Sequence, residues 1–360
     1  MGEGVPLLSL LLNDRGTAVT VTGLNASVAF IGVMLGPMLT PSLIRRFGFR
    51  RFLAATMVLD ILDFLAMKPF HSLAAWFVLR LLSGLIGSAT FTAGEAWINL
   101  LVNDVTRGRV IGIYAAALSA GLGLGPLVLI ITGIRGWPPF LANAALVVLA
   151  MLPLLAATES AGESGRERSP NPLVYMRRAA LIVSVVALFG LMESANFSLL
   201  PIWGVRSGLT VSEASALVST IYLGGAVLQV PIGVLSDKIR RISALRFCAL
   251  VGAAGAALLL ARHIPLAALY SLLLVWGGIM SGIYPVALGM AGERFAGAEM
   301  VSANAAIIMG YALGALVGPG LGGAAMQLWN PQGLPAMLAV LFAVLLVVTG
   351  IRKSRTPAVN

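Results

Sequence analysis

Apolar residues run in long stretches broken by short polar ones, at roughly 21–43, 52–67, 72–98, 108–132, 138–157, 179–203, 212–235, 243–262, 265–290, 301–326 and 334–351. A hydrocarbon core of about 30 Å needs roughly 20 apolar residues to be crossed as a helix. The pattern therefore predicts eleven full crossings. A shorter apolar segment, Val5 to Leu12, comes before them and makes about 12 Å of helix, half a span. Lipid cannot hydrogen-bond a free backbone group, so runs of this length select an all-α polytopic membrane protein.

Composition points the same way. The 360 residues are 59% hydrophobic and 11% charged, with a mean hydropathy of +0.95, too apolar for the surface of a water-soluble domain. Net charge is +10, which in a soluble protein would suggest nucleic acid. Here the cations sit in short loops beside lipid headgroups, and no nucleic-acid partner is expected. Alternate loops hold most of them: Arg45, Arg46, Arg50 and Arg51; Arg107 and Arg109; Arg166, Arg168, Arg177 and Arg178; Lys238, Arg240, Arg241 and Arg246; Arg294; and Arg352, Lys353 and Arg355. The positive-inside rule puts these loops and the C-terminus in the cytoplasm. Val5 to Leu12 lacks the basic flank and A-x-A site of a cleaved signal. It is expected to be the outer half of a first of twelve helices, with two alternatives for the rest: the natural chain begins upstream of Met1, or Met1 is its start and half a helix lines the cavity. Cys248 lies alone in an apolar run and has no disulfide partner.

The segment from Ser160 to Arg178 is the one extended polar stretch, rich in Gly, Ser, Pro and mixed charge. It predicts an N-terminal half at 1–157, a linker at 158–178 and a C-terminal half at 179–360. The halves repeat: Gly208 lies 192 residues after Gly16, and Gly314, Gly318 and Pro319 lie 193 after Gly121, Gly125 and Pro126. Parallel six-helix repeats with a cytoplasmic linker are a plan of transporters that bind solute near the midplane and rock between two states.

With these residues in view the chain resembles the major facilitator superfamily over nearly its whole length. Gly233-Val-Leu-Ser-Asp237-Lys238-Ile-Arg240-Arg241 is similar to the family's loop signature G-x-L-x-D-R-x-x-R-R. The first-half counterpart, Pro41 to Arg51, keeps Leu43, Gly48 and the basic residues but has Arg45 where the acid belongs. Arg80-Leu-Leu-Ser-Gly84 resembles the R-x-x-x-G start of the fourth helix. Glu95, near Trp97 and Asn99, is similar to a bacterial branch of drug-efflux-like members. Gly121-x-x-x-Gly125-Pro126 shares the start of the antiporter motif, whose full string G-x-x-x-G-P-x-x-G-G stands instead at Gly314 to Gly323. The same glycines also have a packing role, since small residues four apart let helices approach. The resemblance implies a two-half helical fold, alternating access, and helices 4 and 7 facing a central cavity.

Ionisable groups within spans are costly and need a partner or a task. Glu193 in Gly190-Leu-Met-Glu193-Ser-Ala-Asn196 is expected either to exchange a proton or contact solute, or to pair with Arg80. Arg80 keeps its charge and suits an anion or a carboxylate. Glu95 is expected to meet an arginine of the Arg45 to Arg51 loop. Asp60 and Asp63 share a helix face, with Lys68 the favoured partner of Asp63. Asn196, Trp203, Tyr222, Gln229, Trp276 and Tyr284 are candidates to line the cavity with flat faces and a few hydrogen bonds. Trp137 and Trp329, near span ends, are expected at headgroups.

The sequence contains no Walker loop, no His-Glu-x-x-His and no cysteine cluster, and His71 and His263 stand in short loops. No cofactor, metal or enzymatic activity is expected. The reading is a monomeric secondary transporter exporting amphipathic, drug-like small molecules in exchange for protons. The alternatives are proton-linked uptake of a small metabolite, and a membrane receptor or scaffold that binds without turnover.

Overall fold

The computed structural model describes residues 4–70, 72–101, 117, 118, 120–156, 172–261, 264–295 and 297–351. Among them there is no strand. The first helices are α1 (Gly4–Asp14), α2 (Val19–Phe47), α3 (Phe49–Ala66), α4 (Leu73–Leu101), α5 (Ala120–Thr132) and α6 (Pro138–Ala156). A short helix, Pro172–Arg178, then leads into α7 (Ala180–Arg206), α8 (Val211–Lys238), α9 (Arg241–Leu258), α10 (Leu266–Gly292), α11 (Gly297–Leu328) and α12 (Gly333–Ile351). The predicted spans coincide with α2 to α4 and α6 to α12, and the half-length segment with α1, while the part of the span predicted at 108–132 that precedes α5 lies largely outside the described residues. Eight of the described helices are long and apolar enough to cross a membrane. Helices α1, α5 and α6 are shorter over their described apolar parts, and α3 has the length but carries Arg50, Arg51, Asp60 and Asp63 among its 18 residues.

Two helices are broken where the sequence forces it. Helix α10 is interrupted at Gly282, because Pro285 has no N–H to give the preceding turn, and the Gly282 N–H instead donates to the Ile279 carbonyl at 3.2 Å. Helix α5 tightens to a 3₁₀ turn over Gly125–Leu127, at Pro126.

The repeat read from the sequence is present in the backbone. Helices α1 and α7 end alike, at Gly16 (φ 73°) and Gly208 (φ 98°), both in the left-handed region that favours glycine. The N–H groups of Thr17 and Leu209 reach back to the carbonyls of Leu12 and Gly204 at 3.0 and 3.1 Å. Helix pairs α2–α4 and α8–α10 also match. A Cβ on Gly32 would overlap the Leu81 carbonyl, and one on Gly224 the Leu274 carbonyl; likewise Gly84 presses on the backbone of Ala29 and Gly277 on that of Ile221. The later member of each matched position lies 192 or 193 residues on.

The two halves meet through α2 against α11, α1 against α7, and α5 against α8. Gly123 of α5 approaches Tyr222 of α8 inside the bundle, an added Cβ lying 3.5 Å from that of Tyr222, and the other defined contacts lie toward the membrane face opposite the arginine-rich loops. Gly23 abuts the Pro319 carbonyl, and Gly323 abuts the backbone of Val19 and Thr20. The Gly320 N–H donates to Ser27 Oγ at 3.1 Å. Arg206, ending α7, donates to Asn13 of α1 at 2.9 Å and to Asn330 at 3.0 Å. Nearby, Arg135 pairs with Asp14 at 3.1 Å, which holds its guanidinium pKa above the ordinary value; the pair is too exposed to add much stability. Toward the arginine-rich end of α2, by contrast, Leu35, Met38 and Leu39 are exposed.

These approaches make a direct prediction. Gly314→Val sets a branched side chain against the Ala187 carbonyl and should lower the thermal midpoint in detergent by the equivalent of roughly 1–3 kcal/mol, or prevent folding. Gly350→Ala, where an added Cβ meets nothing within 4 Å, should leave the midpoint unchanged or slightly higher.

Candidate functional site

Glu193 stands halfway along α7, thirteen residues from each end, and so midway across the bilayer. Helical spacing puts Phe189, Asn196 and Phe197 on its side of the helix, at one turn before and one turn after. Gly190 lets α11 come close, since a Cβ there would collide with the backbone and ring of Tyr311. Tyr311 thereby donates its hydroxyl to Glu193 Oε2 at 2.8 Å. Tyr284 of α10 closes a three-ring group with Phe189 and Tyr311, with centroids 6.1 to 6.3 Å apart. Tyr222 of α8 stacks edge-on against Phe197 at 5.5 Å.

Between α7, α8 and α10 lies a cavity of about 30 Å³, lined among others by Phe189, Glu193, Asn196, Phe197, Tyr222 and Ser281, with Tyr311 and Tyr284 packed behind Phe189. That is space for a water or two and no solute. Asn196 is 3% exposed, yet neither atom of its amide has a partner, and Ser219 Oγ nearby has none. Buried polar atoms without partners require water, an ion or a ligand. The carboxylate, the phenols and the free amide give this place the means to exchange a proton and to bind a polar group between aromatic faces.

A second buried charge lies in the other half. Arg80 is 4% exposed and Asp63 7%. Ser83 donates to Asp63 Oδ2 at 2.5 Å, while Asp63 Oδ1 and Arg80 Nε have no partner. This corrects two expectations. Asp63 is held by Ser83 across the α3–α4 contact and not by Lys68. Glu193 is bonded to Tyr311 and makes no pair with Arg80, which lies in the other half of the protein.

Two tryptophans turn away from the cavity. Trp276 donates to the Gly252 carbonyl at 2.9 Å and packs on Phe342, filling the space between α9, α10 and α12. Trp203 donates to Gln332 at 3.3 Å at the membrane face. Tyr222 and Tyr284 do lie at the site. Gly314 and Gly318 serve the α7–α11 contact, and Pro319 serves α2–α11. Gly121 and Gly125 line a separate cavity, with Pro126 buried beside them. Arg45, Arg46 and Arg240 are exposed on the arginine-rich face. The side chains of Glu95, Gln229 and Asp237 lie outside the described residues. Sequence reading missed Tyr311, Phe189 and Ser219. The signal for Tyr311 was a hydroxyl placed amid the small residues of a span, where lipid offers it no partner.

Fold and site together define a helical membrane transport protein built from two halves. The Major Facilitator Superfamily profile matches residues 4–214 and again 182–360, and the chain belongs to that superfamily. An uncharacterised MFS-type transporter of Enterobacter sp. (strain 638) is 26% identical over 346 residues, covering 95% of this chain and 89% of the relative. YfkF of Bacillus subtilis (strain 168), likewise an uncharacterised MFS-type transporter, is 24% identical over 70% of this chain and 66% of its own length. Among solved structures, a point mutant of the nucleoside transporter NupG superposes with a TM-score of 0.83 at 14% identity, over 98% of this chain and 96% of that one. A bacterial homologue of the human lysosomal transporter Spinster, inward-facing and unoccupied, gives 0.76 at 13% identity, over 97% and 91%.

Removing the Tyr311 hydroxyl tests the site's internal bond. Tyr311→Phe leaves the ring packing in place but takes away the donor to Glu193, and should cost roughly 1.5–3 kcal/mol of stability. Thermal unfolding of the purified protein measures it. Glu193→Gln, which can still accept from Tyr311, should cost less.

Proposed function

We propose that this transporter is a proton-coupled exporter of small amphipathic, drug-like solutes. Glu193 exchanges the proton, and Asn196, Tyr222 and Tyr284 help to hold the solute. The observation that carries this reading is the carboxylate at mid-membrane depth, bonded to a phenol instead of a cation and set beside an amide with no partner. Such a carboxylate can change charge without breaking an ion pair. Its position between α7, α8, α10 and α11 lets helix movement alter its access to water.

In this reading the arginine-rich face is cytoplasmic and carries the C-terminus, and a monomer in the bacterial inner membrane is the working unit. The halves at 1–157 and 179–360 rock about the site, joined by the segment 158–178. The contacts at the opposite face then close the site from the outside. Arg80 contributes a fixed positive charge in the first half, supporting an anionic or polar part of the solute.

Flux into sealed proteoliposomes with an imposed pH gradient tests the proposal, using a panel of cationic dyes. Gradient-driven movement should occur in the native chain and fall by about a hundredfold in Glu193→Gln, in line with the loss of a positioned acid–base group. Movement of protons down into the vesicle together with the dye would establish symport and overturn export by exchange. Saturable binding of a dye with no flux in either direction would leave a receptor in place of a transporter.

A further inference from the structure

Oxygen atoms gather at the small cavity between α7, α8 and α10. Glu193 Oε2 accepts from Tyr311, and Oε1 makes no hydrogen bond among the described residues. Asn196 is 3% exposed, and its Oδ1 and Nδ2 are both without a partner. The Ser281 hydroxyl donates to the Gly278 carbonyl at 2.9 Å, which leaves the lone pairs of its oxygen available. Two backbone oxygens of lining residues lose their ordinary donors as well. Pro201 has no N–H for the Phe197 carbonyl one turn before it in α7, and Pro285 has none for that of Ser281 in α10.

No Lys, Arg or His is among the residues lining this cavity. An ionised carboxylate at mid-membrane depth is costly without a cation, so Glu193 holds either a proton or a cation taken from solution. Oxygen ligands and a single negative charge suit a hard monovalent ion. The volume, about 30 Å³, admits a bare ion with one water; it excludes a hydrated magnesium ion, which gives up its water reluctantly. Broken helices provide such sites in transporters, because carbonyls near the break are released from their intrahelical bonds. Helix α10 breaks at Gly282, next to Ser281.

We infer that this cavity binds one sodium ion through the Glu193 carboxylate, Asn196 Oδ1 and Ser281, with a water between the ion and Asn196 Nδ2. The carboxylate supplies the charge, and the neutral oxygens replace part of the hydration shell. The water accepts from Nδ2 and turns its other lone pair to the ion, so both ends of the amide gain a partner. A larger potassium ion would need the cavity to expand. Only one charged residue takes part, so no cluster of ligating side chains marks the site in the sequence. The inference goes beyond the proposed export, since an ion can be held here whether or not a solute moves.

Binding is read on the purified 360-residue chain by retention of radioactive sodium, and by the thermal midpoint in sodium, potassium or choline chloride at equal ionic strength. Sodium should be retained and should raise the midpoint, since a ligand of the folded state alone stabilises it; potassium and choline should not. Asn196→Ala should raise the half-saturating sodium concentration about tenfold or more, and Glu193→Gln should abolish retention. No retention, with equal midpoints in the three salts, would overturn the inference and leave only water in the cavity. Retention by Glu193→Gln as strong as by the native chain would overturn it too. If Glu193→Gln does not fold, Asn196→Ala decides, and an unshifted half-saturation counts against the site. Sodium retention without pH-driven dye flux would support the ion site and overturn the exporter, and flux without sodium retention would do the reverse.

Discussion

Lipid gives two apolar helices no hydrophobic reason to associate, so everything in this protein rests on how closely backbones can approach. Glycine sets that distance. Gly32 and Gly84 bring α2 against α4, Gly224 and Gly277 bring α8 against α10, and Gly314 and Gly318 bring α11 against α7. Close approach maximises dispersion contacts between the helices. It also decides which side chains can reach one another: without Gly190 the Tyr311 hydroxyl would not lie within hydrogen-bond distance of Glu193.

Packing repeats between the halves, but the buried chemistry does not. Carried back by the same offsets, Tyr222 falls on Phe30, Tyr311 on Leu118 and Asn196 on Gly4. Carried forward, Asp63 falls on Gly255 and Arg80 on Leu273. Each half thus keeps its scaffold glycines while placing its polar groups where the other has apolar or small residues. A scaffold held by backbone contacts leaves side chains free to diverge, because the approach depends on the glycines and not on what stands beside them. The polar groups that differ between the halves are therefore the ones packing does not explain.

Much of this was legible in the sequence. Spans could be read because a membrane crossing imposes length and composition on every helix, and the repeat could be read because Gly16, Gly121 and their partners keep their spacing. Asp63 shows where reading stops. Lys68 is its neighbour in the chain, but Ser83 faces it across the α3–α4 contact, and pairing across helices follows rotation about each axis, which a uniformly apolar run does not encode. Trp276 failed for the same reason: residue type marked it as a good cavity lining, while its position on α10 turns it toward Gly252 and Phe342. Conversely, Glu193 could be singled out without knowing its partner, since a carboxylate at the middle of a span is costly wherever it points.

The interface between the halves is built differently from the interior of each. Within the second half, α7, α10 and α11 bury large side chains such as Met192, Leu199 and Ile307 almost completely, and separating them would expose those surfaces and leave cavities. Between the halves, contact runs through glycine faces at Gly23 and Gly323, with the polar links Gly320 to Ser27 and Arg206 to Asn13. Arg206 and Asn13 are only half-buried, so water can take over their hydrogen bonds when they part. Apolar side chains join this contact at the same face, with Val19 buried in the core of the second half and Val205 and Val211 packed on the cluster of Leu7, Leu8, Leu10 and Leu12. In the proposed rocking of the halves, a bond made within one of them, such as that of Tyr311 to Glu193, can persist while its surroundings move.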